Sequence, residues 1–232
     1  MKNEKGGKFM NCPSCGKELA EGSTSCPYCF KQFTPPARGG AALTDEDFGV
    51  QFNRATTLWK ENIGDLAVFT LVFILVGWIP IVNAGFFAGY TRGLISLTRG
   101  GKPKPGDIFS AWDCFGNTLV YGIIFIAAMI VASFIPFVGP IIHFAVVIFG
   151  VPGFYPVIDR NMNAIEAIKW SVATVQRHFL PWLLAVLVGG VLGSIGALAL
   201  LVGIIFTYPW GALLVIQQYE LRKDEAVLGS VN

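Results

Sequence analysis

Three long stretches of this chain contain no aspartate, glutamate, lysine or arginine: 26 residues between Asp65 and Arg92, 45 between Asp113 and Asp159, and 42 between Arg177 and Glu220. A helix crossing a bilayer needs about 20 predominantly apolar residues, so the second and third stretches are each long enough for two crossings. The first holds a pair if Asp65 and Arg92 sit at headgroup level, where charged ends reach the interface. A soluble core is the alternative, but soluble folds do not bury runs this long without polar punctuation. The chain is 14% charged, against about 25% in ordinary soluble domains. These runs predict an all-α polytopic membrane protein of about six transmembrane helices.

Shorter segments between the runs carry apolar residues at helical spacing. Phe48, Phe52, Ala55, Trp59 and Ile63 form one stripe, the pattern of a helix lying in the membrane interface or packed under the N-terminal module. Thr44 and Asp47 stand at capping-box spacing before it, and Asp45, Glu46 and Asp47 favour the positive helix end. A second such helix is expected from Asn163 to about Phe179, with Ile165, Ile168, Val172, Val175 and Phe179 on one face. A shorter one is expected from Asp107 to Phe115. Each precedes an apolar stretch, so the chain reads as three tandem units of amphipathic helix plus helical hairpin. Trp59, Trp112 and Trp170 recur once per unit. Ile79-Pro80-Ile81-Val82 returns as Ile135-Pro136-Phe137-Val138, and Tyr155 returns as Tyr208.

The expected hairpin tips, 78–85, 134–140 and 189–196, hold no charge. Every lysine and arginine falls in the N-terminal region, in 92–104, in 160–177 or near the C-terminus. With six crossings these all lie on one face, which the positive-inside rule makes the cytoplasm. The expected location is the cytoplasmic (inner) membrane, with both termini cytoplasmic.

Four of the five cysteines form two knuckles, Cys12-Pro-Ser-Cys15 and Cys26-Pro-Tyr-Cys29. Two such knuckles with a short spacer are the pattern of a tetrahedral thiolate zinc site, one structural zinc per chain. Rubredoxin-like iron is the alternative metal. Reduced thiolates agree with a cytosolic side. MKNEKGGKF has no apolar run behind it, so these residues read as mature protein rather than a signal peptide. The expected organisation is a zinc ribbon at 1–33, a flexible linker at 34–43 (Pro35-Pro36, Gly39-Gly40), a helical transmembrane domain at 44–225 and a tail at 226–232. Cys114 reads as a small packing residue.

The motif CPSCGKELAEGSTSCPYC resembles the short zinc-ribbon module that prefixes many bacterial membrane proteins, with Phe30 in place of the glycine usual after the last cysteine. The segment from Pro156 to Ser171, with Asp159-Arg160, Ala164, Glu166, Lys169 and Trp170, is similar to a stretch of uncharacterised bacterial six-helix membrane proteins. A similar membrane domain precedes the catalytic part of some glycerophosphodiester phosphodiesterases. The resemblance covers 45–222 and implies a fold, not an activity.

Catalysis needs positioned acids, bases or nucleophiles, and the expected spans supply only His143 at depth. A neutral imidazole bonded to a neighbouring helix is the plainer reading of it, a functional one the alternative. Asn83 and Asn117 fit hairpin-tip and interface positions. Asp159-Arg160 fits an ion pair to a facing helix or a headgroup contact. Gly85, Gly89 and Gly93, and likewise Gly189 and Gly193, make small faces that fit packing inside the chain or a seam between copies. The ribbon's five lysines, three glutamates and four zinc-bound thiolates nearly cancel, which argues against nucleic acid. Phe9, Tyr28, Phe30 and Phe33 fit a small core or a protein-docking surface, and four cysteine ligands leave no open catalytic position. The expected function is a non-enzymatic membrane accessory, scaffold or assembly protein whose ribbon docks a protein partner. A transporter or channel for a neutral or lipid-like substrate is the alternative.

Overall fold

The computed structural model describes residues 9–11, 18–20, 48–199 and 202–224. The chain divides into two units, Met1–Thr44 and Asp45–Asn232. In the first, strand β1 (Phe9–Asn11) pairs antiparallel with β2 (Glu18–Ala20), Phe9 opposite Ala20 and Asn11 opposite Glu18. Cys12, Cys15, Cys26 and Cys29 lie outside the described residues, as do the linker 34–43, the Thr44 cap and the tail 226–232.

The second unit is helical: α1 (Phe48–Glu61), α2 (Ile63–Val76), α3 (Asn83–Thr98), α4 (Phe115–Ser133), α5 (Gly139–Arg160), α6 (Ala164–Arg177), α7 (Phe179–Ile195) and α8 (Val202–Arg222). Three antiparallel hairpins, α2–α3, α4–α5 and α7–α8, carry the architecture. Among the described residues, two stretches are long and apolar enough to cross a membrane, Pro105–Ser133 and Gly139–Arg160. A third qualifies if α6 and α7, which meet at a 107° bend, count as one broken span. The exterior is unusually apolar. Leu75, Trp78, Ile123, Ile126, Val131, Phe134, Phe137, Ile141, Leu180 and Val191 are all exposed. An exterior with this many exposed large apolar side chains is compatible with an α-helical membrane protein.

Glycine sets how closely the helices approach. A Cβ on Gly89 would sit 2.2 Å from the Ile108 carbonyl oxygen, and one on Gly93 would sit 2.4 Å from the Phe69 ring. A Cβ on Gly211 would fall 2.1 Å from the Gly189 carbonyl oxygen. Both glycine faces foreseen from spacing therefore pack within the chain, one against α2 and the segment before α4, the other against α8.

Two hairpin tips repeat atom for atom in their backbone bonding. In the first, the Val82 N–H donates to the Pro80 carbonyl (2.7 Å) and the Asn83 N–H to that of Ile79 (3.0 Å). In the second, Val138 donates to Pro136 (2.7 Å) and Gly139 to Ile135 (2.9 Å). The central residues, Ile81 and Phe137, take φ of 68° and 64°, the rare γ-turn that bulky residues resist. α3 ends differently. Gly100 at φ 89° and Gly101 donate back to Leu97 and Ser96, a Schellman closure that uses glycine's access to positive φ.

Three sequence expectations need correction. The segment 107–115 is not an amphipathic α-helix: Pro105–Phe109 and Trp112–Cys114 are single 3-10 turns, and α4 begins at Phe115. Pro103, Pro105 and Gly106 disfavour a continuous helix here, and burying Ile108 on the bare face of Gly89 fixes the path. The stripe on α1 packs against α8. Trp59 stacks on Trp210 with ring centroids 4.8 Å apart and donates to the Phe206 carbonyl (2.7 Å), while the Trp210 indole donates to Thr56 (3.1 Å). Ile63, assigned to that stripe, opens α2 instead. On α6 the buried face is shifted toward Ala164, Ala167, Trp170, Ser171 and Thr174; of the expected stripe Val175 is fully buried and Ile165 is exposed. Small residues let α6 lie close to α5, where the Ser171 hydroxyl donates to the Phe149 carbonyl.

Candidate functional site

Each hairpin's returning helix ends in charged residues, and the three ends meet. Arg99, just past α3, makes paired hydrogen bonds to Asp159 on α5 (2.8 and 2.7 Å) and reaches Glu220 on α8 through Nε and Nη2 (3.0 and 2.7 Å). The Tyr219 hydroxyl donates to Asp159 (2.7 Å), and Lys223 pairs with Glu220 (2.8 Å). Hydrogen bonding to Asp159, then to Glu220, raises the Arg99 pKa above its ordinary value, so the guanidinium stays charged. A second clamp lies beside it. Arg92 holds Asp113 through two bonds (2.8 and 3.0 Å) and donates to the Ile158 carbonyl (2.8 Å), tying α3 to the start of α4 and the end of α5. Arg160 pairs with Asp224. Asp159-Arg160 is thus built into ion pairs with neighbouring segments, the first of the two roles its position fits.

Further along the helices, α3, α5, α7 and α8 stand apart around a cavity of about 530 Å3. Its walls are mostly apolar, among them Phe87, Leu94, Phe125, Val151 and Ile216, and no acidic or basic side chain lines it. Three tyrosines, one from each returning helix, face it: Tyr90, Tyr155 and Tyr208. The Tyr90 hydroxyl is matched by Thr70 across the first hairpin (2.9 Å). Tyr155 is 8% exposed, its ring stacks on Tyr219, and its hydroxyl has no hydrogen-bond partner among the described residues. A smaller space of about 480 Å3 lies between the first tip and α4, lined by Pro80, Asn83, Phe87, Leu119 and Gly122.

Compared with protein-family models, curated proteins and solved structures, the chain finds no match. The resemblance at 156–171 rests on those residues.

His143 joins the two arms of its hairpin: Nδ1 lies 2.9 Å from the Gly139 carbonyl and Nε2 lies 3.1 Å from the Ser133 hydroxyl. Asn117 donates to the carbonyl (3.2 Å) and side-chain oxygen (2.8 Å) of Asn161, the left-handed residue that closes α5. Cys114 is buried, with its thiol 3.4 Å from the Ala111 carbonyl. Among the described residues, no cluster of three His, Cys, Asp or Glu side chains stands close enough to hold a metal ion. Sequence reasoning did not single out Arg99, Glu220 or the tyrosine-lined cavity. Charges at the exit of each returning helix were a usable signal for the first two. Tyr155 and Tyr208 were visible as repeat markers, but nothing in their spacing announced a space between them.

Proposed function

We propose that the chain is an integral protein of the cytoplasmic membrane, crossing it six times as three hairpins with both termini in the cytoplasm. In this reading it is a non-enzymatic accessory, scaffold or assembly protein, and a zinc ribbon at 1–33 docks a cytosolic protein partner. The observation that carries it is the separation of the bundle's two ends. Arg92, Arg99, Asp159, Arg160, Glu220 and Lys223 gather where α3, α5 and α8 finish, while the tips around Ile81 and Phe137 carry no acidic or basic side chain. A charged end and an apolar end fit the positive-inside rule. The first hairpin is short: α2 has 14 residues, about 21 Å at 1.5 Å per residue. It falls short of the roughly 30 Å hydrocarbon core, a mismatch met by local thinning with Trp78 and Ile81 at the far interface.

The ribbon reading rests on the spacing of its two knuckles, and it is consistent with the antiparallel pairing of β1, which ends one residue before Cys12 in the sequence, with β2, which begins three after Cys15. Zinc bound by Cys12, Cys15, Cys26 and Cys29 would supply the folding energy a module this small cannot draw from an apolar core. Elemental analysis of the purified protein should find about one zinc per chain. Cys26→Ser should abolish it while the helices stay inserted; fresh protein without zinc or iron sinks the ribbon. Topology is tested separately. Cysteines placed near Lys102 and Asn163 should be shielded from an impermeant reagent in intact cells, and one near Pro136 should be labelled. Opposite results at Lys102 and Asn163 would break the count of hairpins.

One observation favours a second reading, a pathway for a neutral or lipid-like substrate: the apolar cavity between the returning helices.

A further inference from the structure

We propose that this cavity is a binding site for one long acyl chain of a membrane lipid, with an oxygen of the lipid's ester or carboxyl group accepting a hydrogen bond from Tyr155. The inference rests on the second reading above and names its ligand.

Shape is the first argument. The lining runs along α8 from Ile204 to Ile216 and along α7 from Val186 to Ser194, so its longer wall is roughly 18 Å at 1.5 Å per residue. At about 30 Å3 for a group the size of a water or a methylene, 530 Å3 accommodates a chain of roughly 15–18 carbons. A compact polar metabolite would leave most of that length unfilled.

Chemistry is the second. The lining has no charge to recognise an ion or a phosphate, and its walls are phenyl, isopropyl and sec-butyl groups with bare glycine backbone. Hydroxyls of Tyr90, Thr91, Tyr155, Ser194 and Tyr208 interrupt those walls, and Tyr155 is the buried phenol among them that no described residue meets. It is more than nine-tenths buried, it lines the cavity, and its hydroxyl donates to nothing among the described residues. Tyr90 shows how the fold treats a phenol it means to satisfy, with Thr70 at 2.9 Å. A donor left unmet in an apolar setting is costly, and an ester or carboxyl oxygen within the cavity removes that cost. A purely alkyl ligand would not.

The surroundings are the third. Gly190 lines the cavity, and a Cβ added there would meet nothing within 4 Å. Elsewhere on the same helix a Cβ at Gly189 would strike the Gly211 carbonyl at 2.8 Å. The hairpin is therefore tight on one side of α7 and open on the next, and the bilayer supplies acyl chains to such an opening in excess.

The test uses the full-length protein in lipid nanodiscs and a palmitic acid carrying a mid-chain diazirine. Photolysis should label peptides of α5 and α8 at the lining positions. Gly190→Leu, which fills open space, should cut that labelling at least fivefold, and Tyr155→Phe should weaken binding about three- to tenfold. Gly64→Leu, also in open space but away from the cavity, should leave it unchanged. Thermal unfolding checks each variant, and Tyr155→Phe keeps its ring, so the result stands even if Gly190→Leu fails to fold. Labelling spread over the outward residues of α2 and α4 and indifferent to Tyr155→Phe would overturn the site. Lipid movement across vesicles is read independently: site labelling without movement keeps the binding site and defeats the transport reading. Movement that continues undiminished in variants unable to bind keeps the site but shows that transport does not pass through it, which overturns the link between the two.

Discussion

Arg99 stands between two carboxylates that arrive from different hairpins, and it is the more exposed partner. Its side chain is 40% accessible, against 10% for Asp159 and 19% for Glu220. Removing it leaves Asp159, mostly hidden, with only the Tyr219 hydroxyl and Glu220 with only Lys223, the costly way to break an ion pair at Asp159. Arg99→Ala should lower stability by about 2–3 kcal/mol, less than for a fully buried pair because Arg99 reaches solvent. Thermal unfolding in detergent measures it. Asp159→Asn should cost less, since Tyr219 and Arg99 still find a hydrogen-bonding oxygen there. Glycines make a sharper contrast at the same scale. Gly89→Ala drives a methyl group into the Ile108 carbonyl and should cost about 2 kcal/mol or more. Gly64→Ala, with open space around it, should be neutral or stabilise by up to about 1 kcal/mol. The glycine spacing was legible in the sequence; which backbone each glycine admits was not.

At the scale of elements, the two γ-turn tips invert the usual rule about glycine. Phe137 is almost fully exposed and sits at φ 64°, so it makes little contact with the protein to offset its strained backbone. Phe137→Gly should therefore stabilise the hairpin by up to about 1 kcal/mol in detergent. Gly100→Ala should destabilise α3 by about 1 kcal/mol, because φ 89° is strained for alanine even with nothing nearby. Equal effects of the two substitutions would show that backbone conformation is not what they probe. The tip motif was legible as a repeat 56 residues apart. The faces of α1 and α6 were less so, because periodicity says that a helix has an apolar stripe and not what that stripe meets. On α1 it met α8, through Trp59 and Trp210. On α6 small residues at Ala164, Ala167 and Ser171 share the buried face with Trp170 and Val175, so the face was set by close approach to α5 as well as by hydrophobicity.

For the whole molecule, the proposed division of labour makes the N-terminal unit and the bundle separable. Deleting residues 1–40 cuts in a stretch rich in proline and glycine. The truncated chain should insert in the membrane and keep its thermal midpoint within about 2 °C. It should also lose any cytosolic partner that co-purifies with the full-length protein. His143→Leu should then be tolerated for function, although it removes the contacts to Ser133 and Gly139 and should weaken the second tip by about 1 kcal/mol. If truncation is silent in a complementation assay while His143→Leu is not, the bundle carries the function and the docking proposal fails.

What the sequence determined by itself follows from quantities that are local or additive. Charge-free runs of 26, 45 and 42 residues call for helices in an apolar surround, and the repeated Ile-Pro tips mark where two hairpins turn. The tertiary structure alone decided three things. It brought Arg99, Asp159 and Glu220 together from positions about 60 and 120 residues apart, and the sum of such pairings depends on how helices are rotated, not on spacing along the chain. It assigned the glycine faces to partners within the chain, because shape complementarity is a property of two surfaces at once. And it left a space between helices that each pack well with their hairpin partner, a void no single segment encodes.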